Sequence, residues 1–165
     1  MDDAWWYLIA AGIGAISLCA LLAVWRPMRS AVRENQLARL RKDFHRKREW
    51  LEARFFDLAS RSGKPRGLDW TGCDFENDVL YARDRRSGEL SALVGVTISF
   101  EAVDGGGMED VEAVSNLRAA TAVFRVERGH WATDGRAIFN LNPSEAVRYF
   151  QDNLEMVAQE TANHV

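Results

Sequence analysis

The side chains best suited to chemistry are histidines, a cysteine and carboxylates. His45, His130 and His164 are far apart in the sequence and lack metal-site spacing, since a metal ion needs several converging ligands. Asp74 follows Cys73, but adjacent strand residues face opposite ways, and no histidine lies nearby to activate the thiol. The sequence therefore predicts a structural cysteine, no metal or cofactor, and a protein that is not an enzyme.

Asp134 and Arg136 lie two residues apart in a predicted strand, so both side chains should project from one face. Across the sheet they could meet Arg83 or Asp84. One interpretation is an ordinary cross-strand ion pair. The other is an acid and a base in a pocket of a curved sheet.

An acidic segment, DGGGMEDVEAVS at 104–115, follows the longest predicted strand. Its carboxylates do not have the alternating spacing of an EF-hand calcium loop. The pattern favours an acidic loop that contacts a basic protein partner. The predicted partner-binding residues are Asp104, Glu109, Asp110 and Glu112.

The element that must position these groups begins with an apolar stretch, Ala4–Trp25, which contains no charged side chain. As a helix it would be about 33 Å long, enough to cross about 30 Å of hydrocarbon. The acidic leader and the lack of an Ala-x-Ala site favour an uncleaved anchor over a signal peptide. The predicted membrane-interface residues are Trp5, Trp6, Trp25, Arg26 and Arg29.

Charge next to the anchor predicts its orientation. Residues 26–48 contain nine basic and two acidic side chains, whereas the other flank has two acids and no base. Because basic flanks stay in the cytoplasm, we expect a single-pass protein of the cell (inner) membrane with its N-terminus outside and its C-terminal domain cytoplasmic.

Small residues recur every four positions in the anchor, at Ala11, Ala15, Cys19 and Ala23. Such a stripe lets helix backbones approach closely, so it predicts packing against another membrane subunit or a second copy of this chain. The alternative is the ordinary alanine and glycine content of membrane helices.

A basic amphipathic connector helix is predicted over residues 28–62, with a change of direction or a new helix after Pro27. Its apolar stripe includes Phe44, Leu51 and Phe55. The polar side could lie on anionic lipid headgroups, pair with a partner helix, or be solvated while the last turns pack on the following domain. We favour lipid contact by the first part of this helix and packing of its last turns on the following domain. The basic residues concerned are Arg41, Lys42, Arg46, Lys47 and Arg48.

Charge is divided unevenly along the 165 residues. The first 62 residues carry 11 basic and 7 acidic side chains, and the other 103 carry 10 and 17. An acidic domain is a poor ligand for nucleic acid, because affinity for phosphate comes largely from cations. We therefore expect no nucleic-acid partner.

The third predicted segment, 63–165, is a small α+β domain that ends in a helix. Alternating apolar residues from Leu90 to Phe100 mark its best strand. Asn142, Pro143 and Glu145 resemble a capping box, and we expect the helix they start to continue through Leu154 and Val157. The predicted strands cover 68–75, 79–84, 89–103, 117–126 and 131–140.

The order of helix, four or five strands and helix, joined by short hairpins, predicts a curved antiparallel sheet packed against helices. This layout resembles the cystatin-like and nuclear-transport-factor-like cone folds over residues 48–160. The resemblance is one of architecture, and such folds serve both as enzymes and as interaction modules.

These features predict a non-catalytic, single-pass membrane subunit that assembles or positions a membrane protein complex through its cytoplasmic domain. Its partners would be the lipid bilayer and other membrane subunits or itself. Two alternatives remain: a membrane-tethered enzyme or small-molecule-binding domain that uses a pocket in the sheet, and a homo-oligomeric membrane scaffold.

Overall fold

The computed structural model describes residues 4–62, 68–102 and 117–161, with few side chains described before Glu34. The chain divides into two compact units, Met1–Arg46 and Lys47–Val165. The described elements are α1 (Ala4–Ser62), β1 (Leu68–Asp84), β2 (Leu90–Ala102), β3 (Arg118–Glu127), β4 (His130–Ala132), β5 (Ala137–Phe139), α2 (Pro143–Tyr149) and β6 (Leu154–Glu160).

Helix α1 continues through Pro27 as one element. Of the two alternatives given for Pro27, a bend within the helix or a new helix, the structure shows no break in α1 at this residue. Proline removes one amide hydrogen and crowds one carbonyl, but the hydrogen bonds on either side can carry the helix past it. Within the described part of the chain, no helix has the length and apolar character needed to cross a membrane.

The six strands form one curved antiparallel sheet, which confirms the predicted α+β class. The order is β4-β3-β2-β1-β6, and β5 pairs with β3 nearer the start of that strand. Strand β6 pairs with β1 from Val79 to Asp84. In the described residues no strand pairs with this edge of β1 before Val79.

The observed strands differ from the predicted ones in three places, and the sixth strand is β6, which was predicted as part of the last helix. The predicted strands 68–75 and 79–84 are one strand, β1, whose register shifts between Phe75 and Val79. The predicted strand 131–140 is instead two short strands, β4 and β5, because residues 133–136 form a loop.

One face of the sheet packs against the last turns of α1. Leu51, Phe55 and Ala59 are fully or almost fully buried, and the ring centroid of Phe55 lies 5.7 Å from that of Phe75 and 5.9 Å from that of Phe124. Phe75 lies opposite Val96 and Phe124 lies opposite Ala92, and opposite residues of an antiparallel pair share a face. The predicted apolar side of β2 therefore faces α1. Its buried members are Leu90, Ala92, Val94, Val96, Ile98 and Phe100.

The opposite face holds a second, smaller apolar cluster. Its buried residues are Leu80, Ala82, Leu93 and Val123. Val147 of α2 packs against it together with Ile138 and Leu154, so α2 covers this side of the sheet.

The predicted capping box at the start of α2 is confirmed. The Asn142 side chain accepts the Glu145 N–H at 2.9 Å, and the Glu145 carboxylate accepts the Asn142 N–H at 3.0 Å. These bonds satisfy amide groups that have no partner within the helix.

The predicted extent of this last helix is wrong, because α2 ends at Tyr149. Residues 151–153 form a turn, and Leu154–Glu160 is strand β6. The spacing of Leu154 fits either a helix or a strand. The edge of β1 from Val79 to Asp84 supplies backbone hydrogen-bond partners, and this pairing stabilises the strand.

Gly135 allows the loop between β4 and β5 to touch α1. Its φ is +77°, and a Cβ atom built on it would lie 2.6 Å from the backbone nitrogen of Ala59 and 2.8 Å from the Cβ of Leu58. The Ala59 nitrogen cannot move without displacing the helix, and the Leu58 carbonyl carbon, another backbone atom, would lie 2.9 Å from the added Cβ.

We expect Gly135→Ala to lower the free energy of unfolding by about 3 kcal/mol, combining a left-handed backbone with a clash against helix backbone. The matched control is Gly88→Ala, whose φ is +74° but whose surroundings are open; it should lose about 1 kcal/mol. Chemical unfolding followed by tryptophan fluorescence measures both. Equal losses would contradict the proposed close approach.

Candidate functional site

A cavity of about 390 Å³ lies on the sheet face that α2 covers, and we call it the α2-side pocket. Its apolar lining comes from three strands and the end of α2. The residues concerned are Leu93, Val123, Ile138, Phe150 and Leu154.

Polar side chains line the same cavity. Asp84 ends β1, Glu89 precedes β2 and Ser91 lies within β2. Arg125 lies on β3 opposite Ser91, and Arg136 directly precedes β5. Charged groups of both signs thus line this cavity together with the apolar residues.

The predicted placement of Asp134 and Arg136 on one strand face is corrected by the structure. Both lie in the loop between β4 and β5, where Asp134 Oδ1 accepts the Arg136 N–H at 3.1 Å. Asp134 Oδ2 lies 3.7 Å from Arg125 Nη1, so its ion-pair partner is Arg125 and not Arg83. Arg136 and Asp84 both line the α2-side pocket, whereas Asp134 does not.

The carboxyl group of Asp84 is held ionised by the turn that follows β1. Its Oδ1 accepts the N–H groups of Ser87 at 2.7 Å and Arg86 at 2.8 Å. These backbone hydrogen bonds, that of Ser87 first, lower the pKa of Asp84 below its usual value. Asp84 therefore brings a negative charge to the pocket at neutral pH.

Cys73 lines a second, more open cavity of about 420 Å³ between α1 and β1, beside Glu49, Glu52 and Phe56. Burial raises the pKa of the Cys73 thiol to about 12. A thiol with this pKa is almost wholly protonated at neutral pH and is a weak nucleophile.

Arg48, one of the predicted lipid contacts, is used inside the second unit. Its side chain is 16% exposed, and its Nε lies 2.6 Å from Glu52 Oε1. Nη1 donates to the Asn77 carbonyl at 2.9 Å, and Nη2 donates to the Glu76 carbonyl. Arg48 thereby ties α1 to the irregular part of β1 between Phe75 and Val79.

The other predicted basic contacts stay predictions. Arg46 pairs with Asp43 at 2.9 Å on a well-exposed surface, and Lys42 is exposed. Arg41 is half-buried and Lys47 is half-buried. We retain these four as predicted headgroup or partner contacts.

Several predicted site residues lie outside the part of the chain that the structure describes. This holds for the acidic-loop residues Asp104, Glu109, Asp110 and Glu112, and for His164. It holds equally for the side chains of the anchor residues Trp5, Trp6, Ala11, Ala15, Cys19, Ala23, Trp25, Arg26 and Arg29.

The two histidines that are described, His45 and His130, are both exposed. In residues 4–62, 68–102 and 117–161, no three metal-ligating side chains lie close enough together to hold an ion.

The chain matches no protein-family model, no curated protein and no solved structure.

We expect Cys73 to react with iodoacetamide at pH 7 about a thousandfold more slowly than an ordinary thiol, because so little of it is thiolate. The measurement is a mass-spectrometric alkylation time course on a Cys19→Ser variant, in which Cys73 is the remaining cysteine. The same variant in denaturant is the control and should react at the normal rate. Similar rates in both conditions would contradict the assigned burial.

We expect Arg48→Gln to lower the free energy of unfolding by about 2 kcal/mol, since it breaks a half-buried ion pair and leaves two carbonyl groups unpaired. Arg46→Gln, which breaks an exposed pair on the same helix, is the control and should cost about 0.5 kcal/mol or less. Urea unfolding measures the difference, and equal effects would show that Arg48 has no special role in the fold.

Proposed function

We propose that this protein is a non-catalytic, single-pass membrane subunit that assembles or positions a membrane protein complex through its C-terminal α+β unit. The apolar stretch Ala4–Trp25 would be the anchor, in the cell (inner) membrane with the N-terminus outside.

The observation that carries this proposal is the continuity of α1. The helix that contains the apolar stretch also contributes Leu51, Phe55 and Ala59 to the core of the second unit. The last turns of α1 are thus part of the folded unit, and the apolar stretch lies at the other end of the same helix.

The surface of the second unit offers apolar contact area for a partner. Trp50 of α1 is 60% exposed and Tyr149 of α2 is 73% exposed, and Met156 of β6 is also exposed. Exposed aromatic residues are enriched at binding hot spots. The acidic segment 104–115 would add charge complementarity to a basic partner.

The basic residues of α1 would add lipid contact. Arg41, Lys42, Arg46 and Lys47 precede or open the second unit, and each basic residue near an anionic surface contributes about 1 kcal/mol. Arg48 is left out of this set because its guanidinium is used within the fold.

The small-residue stripe Ala11, Ala15, Cys19 and Ala23 would serve as the packing seam within the membrane. A seam between copies of this chain would make the protein a homo-oligomeric scaffold, and a seam with other subunits would make it an accessory subunit.

We expect a chain that lacks residues 1–27 to move from the membrane to the soluble fraction as a folded domain, because every described core residue of the second unit is retained. Cell fractionation and circular dichroism measure the two parts of this expectation. A truncated chain that stays folded and remains in membranes would contradict the single anchor.

A longer truncation is the matched control. Removing residues 1–54 also removes Leu51, which is fully buried in the second unit. This chain should lose cooperative unfolding altogether, since deleting one such leucine side chain alone costs about 2–5 kcal/mol.

The subunit assignment itself is tested by extracting the full chain in a mild detergent, sizing it, and identifying what co-migrates. A defined complex with a second membrane protein in fixed ratio supports an accessory subunit. A complex of this chain alone supports the scaffold, and a monomer overturns both.

A further inference from the structure

The α2-side pocket is a candidate ligand site that the docking role does not explain. Its volume of about 390 Å³ lies near the lower end of small-molecule pockets, which run from about 300 to 1,000 Å³. An apolar surface made by Leu93, Val123 and Ile138 would receive the hydrocarbon part of a small molecule.

The charged groups of the pocket are sorted by strand. Asp84 and Glu89 flank the turn between β1 and β2, whereas Arg125 and Arg136 belong to β3 and to the residue before β5. Ser91 lies between them on β2, paired with Arg125 across the strands. The acidic and basic sides of the pocket are therefore on different strands.

Ser91 is the most buried polar group of this set, at 8% exposed. Its hydroxyl forms no hydrogen bond with any residue that the structure describes. In the described residues no buried side-chain oxygen or nitrogen lacks a partner, so the Ser91 hydroxyl is reached by solvent and can donate a hydrogen bond to a molecule in the pocket.

Two of the charged groups are also uncommitted. In the described part of the chain, the side chains of Arg136 and Glu89 form no ion pair or hydrogen bond. Arg125 has one distant ion-pair contact, to Asp134 at 3.7 Å. A guanidinium and a carboxylate are thus both available to a ligand.

We propose that the α2-side pocket binds a small zwitterion with an apolar body, of the amino-acid class. Its carboxylate would lie between Arg125 and Arg136, with Ser91 donating a hydrogen bond, and its ammonium would face Glu89 and Asp84. An anion alone would meet two carboxylates, and a cation alone would meet two guanidinium groups.

The physical basis is charge matching between the pocket lining and the ligand. A planar guanidinium binds a carboxylate through paired N–H donors, and charge-assisted hydrogen bonds of this kind are about twice as strong as neutral ones. The lining carries two acids and two bases, so a net-neutral ligand with separated charges is favoured over either single ion.

The test is calorimetric titration of the full chain in mild detergent with three probes of similar size: L-leucine, 4-methylpentanoate without the amine, and isopentylamine without the carboxylate. We expect leucine to bind at least about tenfold more tightly than either half-probe. Equal binding of a half-probe overturns the zwitterion assignment, and no binding by any probe overturns the site.

Two exposed variants locate the interaction. Arg136→Gln should abolish the preference for leucine over the amine, and Glu89→Gln should abolish the preference over the carboxylate. The matched controls are Arg61→Gln and Glu101→Gln, which make the same changes at exposed residues outside the pocket lining. Leucine binding that is lost equally in the controls would overturn the assigned site.

The site is independent of the docking role. Release of the truncated domain from membranes tests the anchor, and probe binding tests the pocket, so either can fail while the other stands.

Discussion

The contact between the last turns of α1 and the sheet is the constraint on which the rest of the structure depends. Phe55 inserts between rings from β1 and β3, and the loop at Gly135 reaches the helix backbone at Ala59. The sheet and the loop are thereby both held against the helix. At Gly135 the approach is so close that an added Cβ atom would clash with the helix backbone. The α2-side pocket lies on the other face of the sheet, away from this contact.

Much of this fold could be predicted from the sequence, because its signals are local. Alternation from Leu90 to Phe100 indicated β2 and its buried side, and Asn142 with Glu145 indicated the start of α2. The predictions were wrong where pairing between distant strands determines the secondary structure. Leu154 follows a helical spacing, yet the open edge of β1 draws residues 154–160 into a strand.

The candidate site was harder to predict, because its residues are separated in the sequence and meet through strand register. Arg136 and Asp84 could be suspected from their spacing, and both line the pocket. Ser91 was not predicted as a site residue, because a serine in an apolar strand has the pattern of an ordinary outward-facing residue. Its opposition to Arg125 follows only once β2 and β3 are paired. The ion pair of Arg125 with Asp134 depends on a loop where a strand was expected.

The irregular part of β1 has a further consequence for how this protein behaves among its own copies. In the described residues no strand pairs with the edge of β1 before Val79, and a strand edge without a partner strand is a template for amyloid-like growth. Here the edge before Val79 carries four acids, and Arg48 occupies the carbonyls of Glu76 and Asn77. Like charge and blocked acceptors make this edge a poor template, so crowding would not seed aggregation there.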